Sequence, residues 1–568
     1  MIREGRLLRG GVLGVVGLGL IAPIAAGLWQ TARAGFGVLP ALGLTEWSFA
    51  PWQQLAAQPG FGSSLRLTLV TGLGATLLSL LLAVGFCAAL QGRMRPAAGA
   101  RLLTPFLATP HAAMAVGLAF VLAPSGWIAR ALAAPMGWQT PPDLATVNDG
   151  WGLALMLGLM VKEVPFLLLV ILSALSQIPV ARHMAAGRSL GYGRGIVWIK
   201  IIMPQVWPLI RLPVWVVLAY ALSVVDMALI LGPSNPPVLA VAVTRWFSDP
   251  DPAMILPASA GAMLQGGVVL TGIFLFWLAE RGARPLGRWW LRRGGRGLRA
   301  GPGLWMALIA GMMLMAVAAL ALLSLLVWSL AWRWSFPQLL PESWSLRPWM
   351  THTGGWGQAL VQTLILAAIT VALSLALAIA WLEGEDRARL PRAAWAQALV
   401  YLPLLVPQIG FLYGLNVVFL QAGVSGGYVA VIWAQMLFVF PYVMIALSDP
   451  WRALDPRLVS AAAALGAGPW RRLVAVKLPV LLRPILTAAA IGVAVSVAQY
   501  LPTLFMGAGR IATLTTESVT LSSGSDRRVT GVYASLQAAL PFAAYVAAFV
   551  LPAALHRNRR DLKGAPQA

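Results

Sequence analysis

Two stretches decide the fold. Ala185-Ala186-Gly187-Arg188-Ser189-Leu190-Gly191 runs on to Ile201-Ile202-Met203-Pro204, and Ser460-Ala461-Ala462-Ala463-Ala464-Leu465-Gly466 runs on to Val476-Lys477-Leu478-Pro479. In each, a small-residue helical turn meets Leu-Gly, then a basic, partly aromatic stretch, then an aliphatic stretch ending in Pro. The step from Gly to Pro is the same, 191 to 204 and 466 to 479. A feature repeated about 275 residues apart marks a duplicated chain, and a duplication found first constrains every later assignment.

Outward from these stretches the chain is 59% hydrophobic and 10% charged, with apolar runs of about 20 residues. Such runs match the length a helix needs to cross a bilayer core. They predict an all-α integral membrane protein with about twelve spans: Val12–Trp29, Leu67–Leu90, Leu103–Leu122, Gly152–Ser176, Leu209–Leu231 and Met254–Ala279, then Leu304–Trp332, Ala359–Leu382, Trp395–Leu420, Tyr428–Leu447, Ile485–Met506 and Val532–Leu555. The first run follows Arg3, Arg6 and Arg9 and precedes a cleavage-like Ala32-Arg33-Ala34. Its length favours a retained anchor over a cleaved signal peptide.

The net charge of +23 does not point to nucleic acid, because the basic residues lie between the apolar runs. Alternate loops hold 29 Lys and Arg, and the remaining loops hold 8. The positive-inside rule therefore places both repeated stretches and both termini in the cytoplasm and requires an even number of spans. The division that follows is a first half over 1–280 (core 64–280, loop 181–204), a basic linker over 281–303, and a second half over 304–568 (core 357–555, loop 454–479).

The halves align further. Leu65, Thr68 and Leu69 match Leu360, Thr363 and Leu364; Thr109-Pro110-His111 with Gly117-Leu118 matches Val406-Pro407-Gln408 with Gly414-Leu415. Pro165-Phe166 matches Pro441-Tyr442, and Ser223-Val224-Val225-Asp226 matches Ser496-Val497-Ala498-Gln499. The first half carries an extra segment near Pro124–Gly150.

No catalytic constellation is present. None of the four lysines (Lys162, Lys200, Lys477, Lys563) follows Gly, so the chain has no Gly-Lys-Ser/Thr phosphate loop. Four histidines without a His-Glu-x-x-His pair, and the single Cys87, supply no metal hydrolase site and no intramolecular disulfide. The expectation is a transport subunit rather than an enzyme, with no cofactor of its own.

The repeated stretches resemble the cytoplasmic loop of bacterial ABC importer permeases, which reads Glu-Ala-Ala, three residues, Gly, nine residues, Ile-x-Leu-Pro. The matching positions are Ala185, Ala186, Gly187, Gly191, Ile201, Met203 and Pro204, and Ser460, Ala461, Ala462, Gly466, Val476, Leu478 and Pro479. The acid at the first position is absent from both copies, and Gly187 stands where the family has its second Ala. The whole chain looks like the fused, double-length permeases of the thiamine, ferric-iron and sulfate or polyamine importer group, and within it the YnjC-type permeases. There the likeness rests on Leu231-Gly232-Pro233-Ser234-Asn235-Pro236-Pro237 and on Gln499-Tyr500-Leu501-Pro502-Thr503 with Gly507-Ala508-Gly509-Arg510. The resemblance implies a multi-pass protein of the bacterial inner membrane. It also implies separate ATPase subunits (a homodimer, binding ATP and Mg) docked on the two loops, and a substrate-binding protein outside.

An ionisable group within a span is expensive and is a functional candidate. Asp226, its counterpart Gln499 and the adjoining Tyr500 are the pathway candidates. Lys162-Glu163 before Pro165 reads as a mutually satisfied pair or a partner for freed backbone, and His111 as a packed ring. The Ser/Thr-rich segment 507–528 reads either as a docking loop for a binding protein or as a solvated loop. A twelve-span secondary transporter driven by an ion gradient is the alternative. The loop Gln91-Gly92-Arg93-Met94-Arg95-Pro96 lacks the acidic Gly-x-x-x-Asp-Arg pattern of one such class. The shared orientation of the two halves disfavours inverted-repeat carriers.

Overall fold

The computed structural model describes residues 2–90, 103–294, 301–350, 355–388, 394–524 and 526–555. The basic positions Arg93–Arg101, Arg296, Arg299, Arg389, Arg392 and the tail 556–568 lie outside them. Among the described residues the chain is helical apart from one short antiparallel pair, Ala331–Arg333 with Ser343–Trp344. Ten helices are long and apolar enough to cross a membrane, or eleven if Pro469–Val480 and Leu482–Val497, bent by 76°, form one span. The remaining expected span, Trp395–Leu420, is split into Ala394–Leu405 and Gln408–Gln421. Pro407 causes the break, because it has no amide hydrogen and drives Val406 out of the helical region. Pro110 breaks the matched segment of the first half, where a helix over 103–108 ends and His111–Leu122 begins.

The span expected to end at Ala279 continues to Arg292. Most of the stretch read as a linker is thus helix, over 281–292 and again from Gly301. The extension carries its own surface chemistry: Glu280 pairs with Arg284 at 2.5 Å, and Arg293 stacks on Trp289 at 4.0 Å.

The first span of each half crosses to the other half. Ile2–Val16 packs on Trp356–Ala388, and Ala22–Gly35 packs on Gln408–Gln421. Reciprocally, Gly301–Leu330 packs on Phe61–Leu90 and His111–Leu122. Each also touches the last span of its own half, Pro252–Arg292 or Arg527–Leu555. The two peripheral spans therefore stitch the bundles together.

Small residues permit the close crossings. A Cβ at Gly27 would stand 2.5 Å from the Phe411 carbonyl oxygen, and Gly414 presses on the backbone of Gly27. At the pseudo-symmetric crossing Gly117 presses on Ala321, and Ser324 Oγ donates to the Gly117 carbonyl at 3.0 Å. The matched glycines at 117 and 414 thus serve the same crossing in each half. Gly27→Ala should lower the thermal unfolding midpoint in detergent, through an overpacking cost of about 1–3 kcal/mol. Gly14→Ala, with nothing within 4 Å of the added methyl, should leave it unchanged. Equal midpoints for the two variants would remove this crossing from the account.

Candidate coupling loops and translocation seam

The two repeated stretches fold alike, turn for turn. Val180–Ser189 and Pro456–Ala464 are short helices, each stopped by Leu-Gly with Gly at φ 80° or 79°. The stop is a Schellman motif in both copies. Gly191 N–H donates to Arg188 O and Tyr192 N–H to Gly187 O, each at 3.0 Å; Gly466 donates to Ala463 O and Ala467 to Ala462 O, also at 3.0 Å. A residue with a Cβ is strained at that φ, which is why glycine stands there. A helical turn follows (Arg194–Val197, Pro469–Arg472), then a five-residue π-helical turn, Trp198–Ile202 or Leu473–Lys477. Each π turn begins seven residues after its glycine (191 to 198, 466 to 473).

Ala185, Ala186, Ser460 and Ala461 lie exposed on these helices, Ala462 half-buried. The leucines before the glycines stand out, Leu190 63% and Leu465 88% exposed, and at matched positions Ile199 and Val474 are also exposed. Pro204 is exposed, whereas Ile201, Val476 and Pro479 are half-buried. Gly187 is different. It is buried against Val197, whose Cγ1 would lie 3.1 Å from an added Cβ. Its departure from the family pattern closes the loop on itself. Crossings by Arg194–Ser223, Pro252–Arg292, Gly301–Leu330, Trp356–Ala388, the broken 394–421 segment and Tyr428–Arg452 separate the loops. That number is even, so both lie on one face.

The acids missing from the loops stand nearby in one copy. Lys477 Nζ meets Glu383 Oε2 at 2.6 Å and Asp386 Oδ2 at 2.5 Å. Glu383 also accepts from Arg387 at 2.7 Å, and Glu385 from Arg452 at 3.1 Å. Trp451 Nε1 donates to Asp386 at 3.0 Å, and Arg387 stacks on Trp470 at 4.6 Å. Sequence reasoning passed over this network. Its signal was three acids in four residues, Glu383-Gly384-Glu385-Asp386, in a chain with 18. The first loop is held otherwise. Lys200 sits over Trp290 at 4.6 Å and Tyr192 at 5.3 Å, and Tyr192 Oη donates to the Gly294 carbonyl at 3.2 Å. The helical extension beyond Ala279 is therefore this loop's support.

Each loop leads into a helix that breaks where the halves meet. Met203–Ser223 stops and resumes as Asp226–Leu231; Leu482–Val497 stops and resumes as Leu501–Gly507. Carbonyls freed within a bilayer need partners. Gln265 Nε2 donates to Leu222 O at 2.5 Å, and Thr515 Oγ1 donates to Val497 O. The matched Thr68 and Thr363 have the complementary task. Their hydroxyls accept from the first amides of two short helices, Leu239 N at 2.8 Å and Leu514 N at 2.9 Å. Leu239–Phe247 and Leu514–Ser522 are thus equivalent elements. The second carries a Thr513–Thr516 capping box and buries Leu514, Thr515, Thr516, Ser518 and Val519. Much of the Ser/Thr-rich segment is a buried helix, and its hydroxyls serve the backbone.

Asp226, at the resumed end of the first broken helix, accepts a long hydrogen bond from Tyr220 Oη at 3.4 Å. The His111 ring packs on Tyr220 with centroids 4.5 Å apart, and its Nε2 lies 3.9 Å from Glu163 Oε1. Lys162 Nζ donates to Phe106 O at 2.8 Å and Thr109 O at 2.5 Å, which are carbonyls freed at the Pro110 break. From the other half, Tyr442 lies within electrostatic reach of Glu163 and Tyr220, and Tyr500 within reach of Asp226. The structure thereby brings Asp226 and Tyr500 together across the seam. Gln499, 7% exposed, keeps an unpartnered Oε1. No cluster of three metal-ligating side chains occurs among the described residues.

Residues 389–557 match the family model of the binding-protein-dependent transport system inner membrane component. The chain is 31% identical over 529 residues to the inner membrane ABC transporter permease protein YnjC of Escherichia coli (strain K12), covering 89% of this chain and 90% of that one. It is 30% identical over 160 residues to the molybdenum transport system permease protein ModB of Azotobacter vinelandii, covering 26% of this chain and 70% of that one. The chain belongs to the binding-protein-dependent ABC transporter permeases. As such a permease it is a multi-pass, all-α protein of the inner membrane, and its double length is shared with the YnjC protein.

In this permease Lys162 is the residue whose loss should be felt most in the seam. Its loss strips two carbonyls of their donor and Glu163 of a nearby cation, and removing one partner of a buried charged pair typically costs about 3–5 kcal/mol. Lys162→Met should lower the thermal midpoint in detergent, and Lys162→Met with Glu163→Gln should recover part of the loss. A double variant no better than the single would show that Glu163 gains nothing from Lys162.

Proposed function

We propose that this permease forms the translocation pathway of an ATP-driven importer and is driven through the loops at 181–204 and 454–479. The observation that carries the reading is the duplicated Schellman-capped helix with its π turn, exposed on one face and joined in each half to a helix that breaks at the seam. An ATPase subunit docks on each loop, with Leu190 and Ile199, or Leu465 and Val474, as apolar anchors. Ala185, Ala186, Ser460 and Ala461 allow close approach because they are small. ATP and Mg are held by those subunits, a homodimer. This chain supplies backbone fit and basic side chains in place of the family's acid. The face that bears the loops is cytoplasmic, as are both termini, in keeping with the distribution of Lys and Arg. A soluble binding protein delivers cargo at the opposite face.

The mechanics follow from the connections. A push on Val180–Ser189 passes through the Gly191 turn and the π turn into Arg194–Ser223, whose far end is the Asp226 break. A push on Pro456–Ala464 passes to Leu482–Val497 through the 76° bend, with Lys477 tying the loop to Trp356–Ala388. Closure of the ATPase dimer would move both breaks and alternate the access of the seam.

A separate P-loop ATPase should co-purify with the chain. Gly191→Leu and Gly466→Leu introduce a Cβ near φ 80°, a strain of about 1–3 kcal/mol that distorts the cap. Both should leave hydrolysis by the assembled ATPase running while uptake of the binding protein's cargo into proteoliposomes falls at least tenfold. Wild-type uptake in both variants, or gradient-driven uptake without an ATPase subunit, would defeat this reading.

A further inference from the structure

We infer that the seam at the level of Asp226 selects for cations, and that the cargo is an organic cation rather than an oxyanion. The inference rests on the permease reading and names the cargo class for its pathway.

Charge at the seam is one-sided. The second half contributes none at the matched positions: Gln408 stands for His111, Gln499 for Asp226, and, counted from Pro441, Phe438 and Val439 stand for Lys162 and Glu163. In the first half Lys162 donates to the Phe106 and Thr109 carbonyls, and this one cation stands against two carboxylates within its electrostatic reach, Glu163 and Asp226. The count is one negative charge in excess, and Asp226 has a single side-chain hydrogen-bond partner among the described residues, Tyr220 at 3.4 Å. The Met227 amide and the Lys162 charge also lie within reach of Asp226, but a second carboxylate within a membrane is costly, and a positively charged cargo would offset that cost.

The neighbours suit such a visitor. Tyr220, Tyr442 and Tyr500 converge on Asp226 and Glu163 from both halves, and aromatic faces attract cations, organic ammonium groups above all. None of the three is fully buried, and the His111 side chain is 28% exposed, so this part of the seam is not packed shut. Independently, the Gln499 Oε1 beside Tyr500 is buried and unpartnered. An idle acceptor adjoining a tyrosine within electrostatic reach of Asp226 fits a cargo that brings N–H donors and positive charge. An oxyanion would meet a carboxylate of its own sign.

The chain is suited to a direct test because its one cysteine, Cys87, is buried. Gln499→Cys is introduced into the full transporter in proteoliposomes. Its reaction is timed with trimethylammonium-ethyl methanethiosulfonate and with sulfonatoethyl methanethiosulfonate, each normalised to its rate on a small free thiol. Tyr500→Cys serves if the first variant fails to fold. The cationic reagent should react faster by roughly tenfold or more, as a focused carboxylate field allows. Asp226→Asn in the same background should bring the ratio close to one. A ratio near one or favouring the sulfonate, no reaction with either reagent, or a ratio indifferent to Asp226→Asn would overturn the inference. Failure of the ATPase to co-purify would sink the coupling proposal without altering this ratio. ATP-driven uptake alongside an anion-favouring ratio would sink the cation proposal alone.

Discussion

Within a bilayer a broken helix leaves amides and carbonyls that water cannot reach, and this permease breaks its helices on purpose. The structure depends on how those groups are satisfied. Lys162 takes the carbonyls released at Pro110, Gln265 the carbonyl of Leu222, and Thr515 that of Val497. Thr68 and Thr363 receive the first amides of the two short far-face helices. Apart from Thr515, 18 residues from Val497, each partner lies 43 or more residues along the chain from the group it serves, so the breaks hold the bundle together as well as shape the seam.

The two halves share a backbone plan and divide the chemistry. The ionisable side chains of the seam come from the first half, as Lys162, Glu163, His111 and Asp226, while the second presents Gln435, Ser496 and Gln499. At the loop face the division reverses. The second loop is tied by Lys477, Glu383, Asp386 and Arg452, and the first by cation–π contacts to Trp290 and Tyr192. One chain permits this, because two segments encoded separately in it can differ, as two copies of an identical subunit cannot. The exchanged first spans, sealed at Gly27–Gly414 and Gly117–Ala321, make the unequal halves one body.

Much of the site was legible because the physical demands leave short-range marks. Gly191 and Gly466 announce a left-handed turn, whereas Pro110 and Pro407, matched between the halves, sit in stretches expected as continuous spans and break them. The matched Thr68 and Thr363 showed that a shared task existed but not what it was, since the amides that donate to their hydroxyls, Leu239 and Leu514, lie more than 150 residues away. The acids at 383–386 went unread for the same reason. Their meaning comes from Lys477 and Arg452, which the folding of another span delivers. The Ser/Thr-rich segment 507–528 read as loop because hydroxyls mark both solvent and buried backbone repair.

Sequence by itself determined the membrane class, the duplication and the two loop turns. These follow from run length, spacing and the backbone preferences of Gly and Pro, which act over a few residues. Tertiary structure alone decided that the first spans are exchanged between halves, that the presumed linker is mostly helix supporting a loop, and that Tyr500 comes within electrostatic reach of Asp226. Those outcomes depend on which surfaces meet, and apolar helices in a bilayer choose partners by close packing and shared hydrogen bonds rather than by any pattern within one helix.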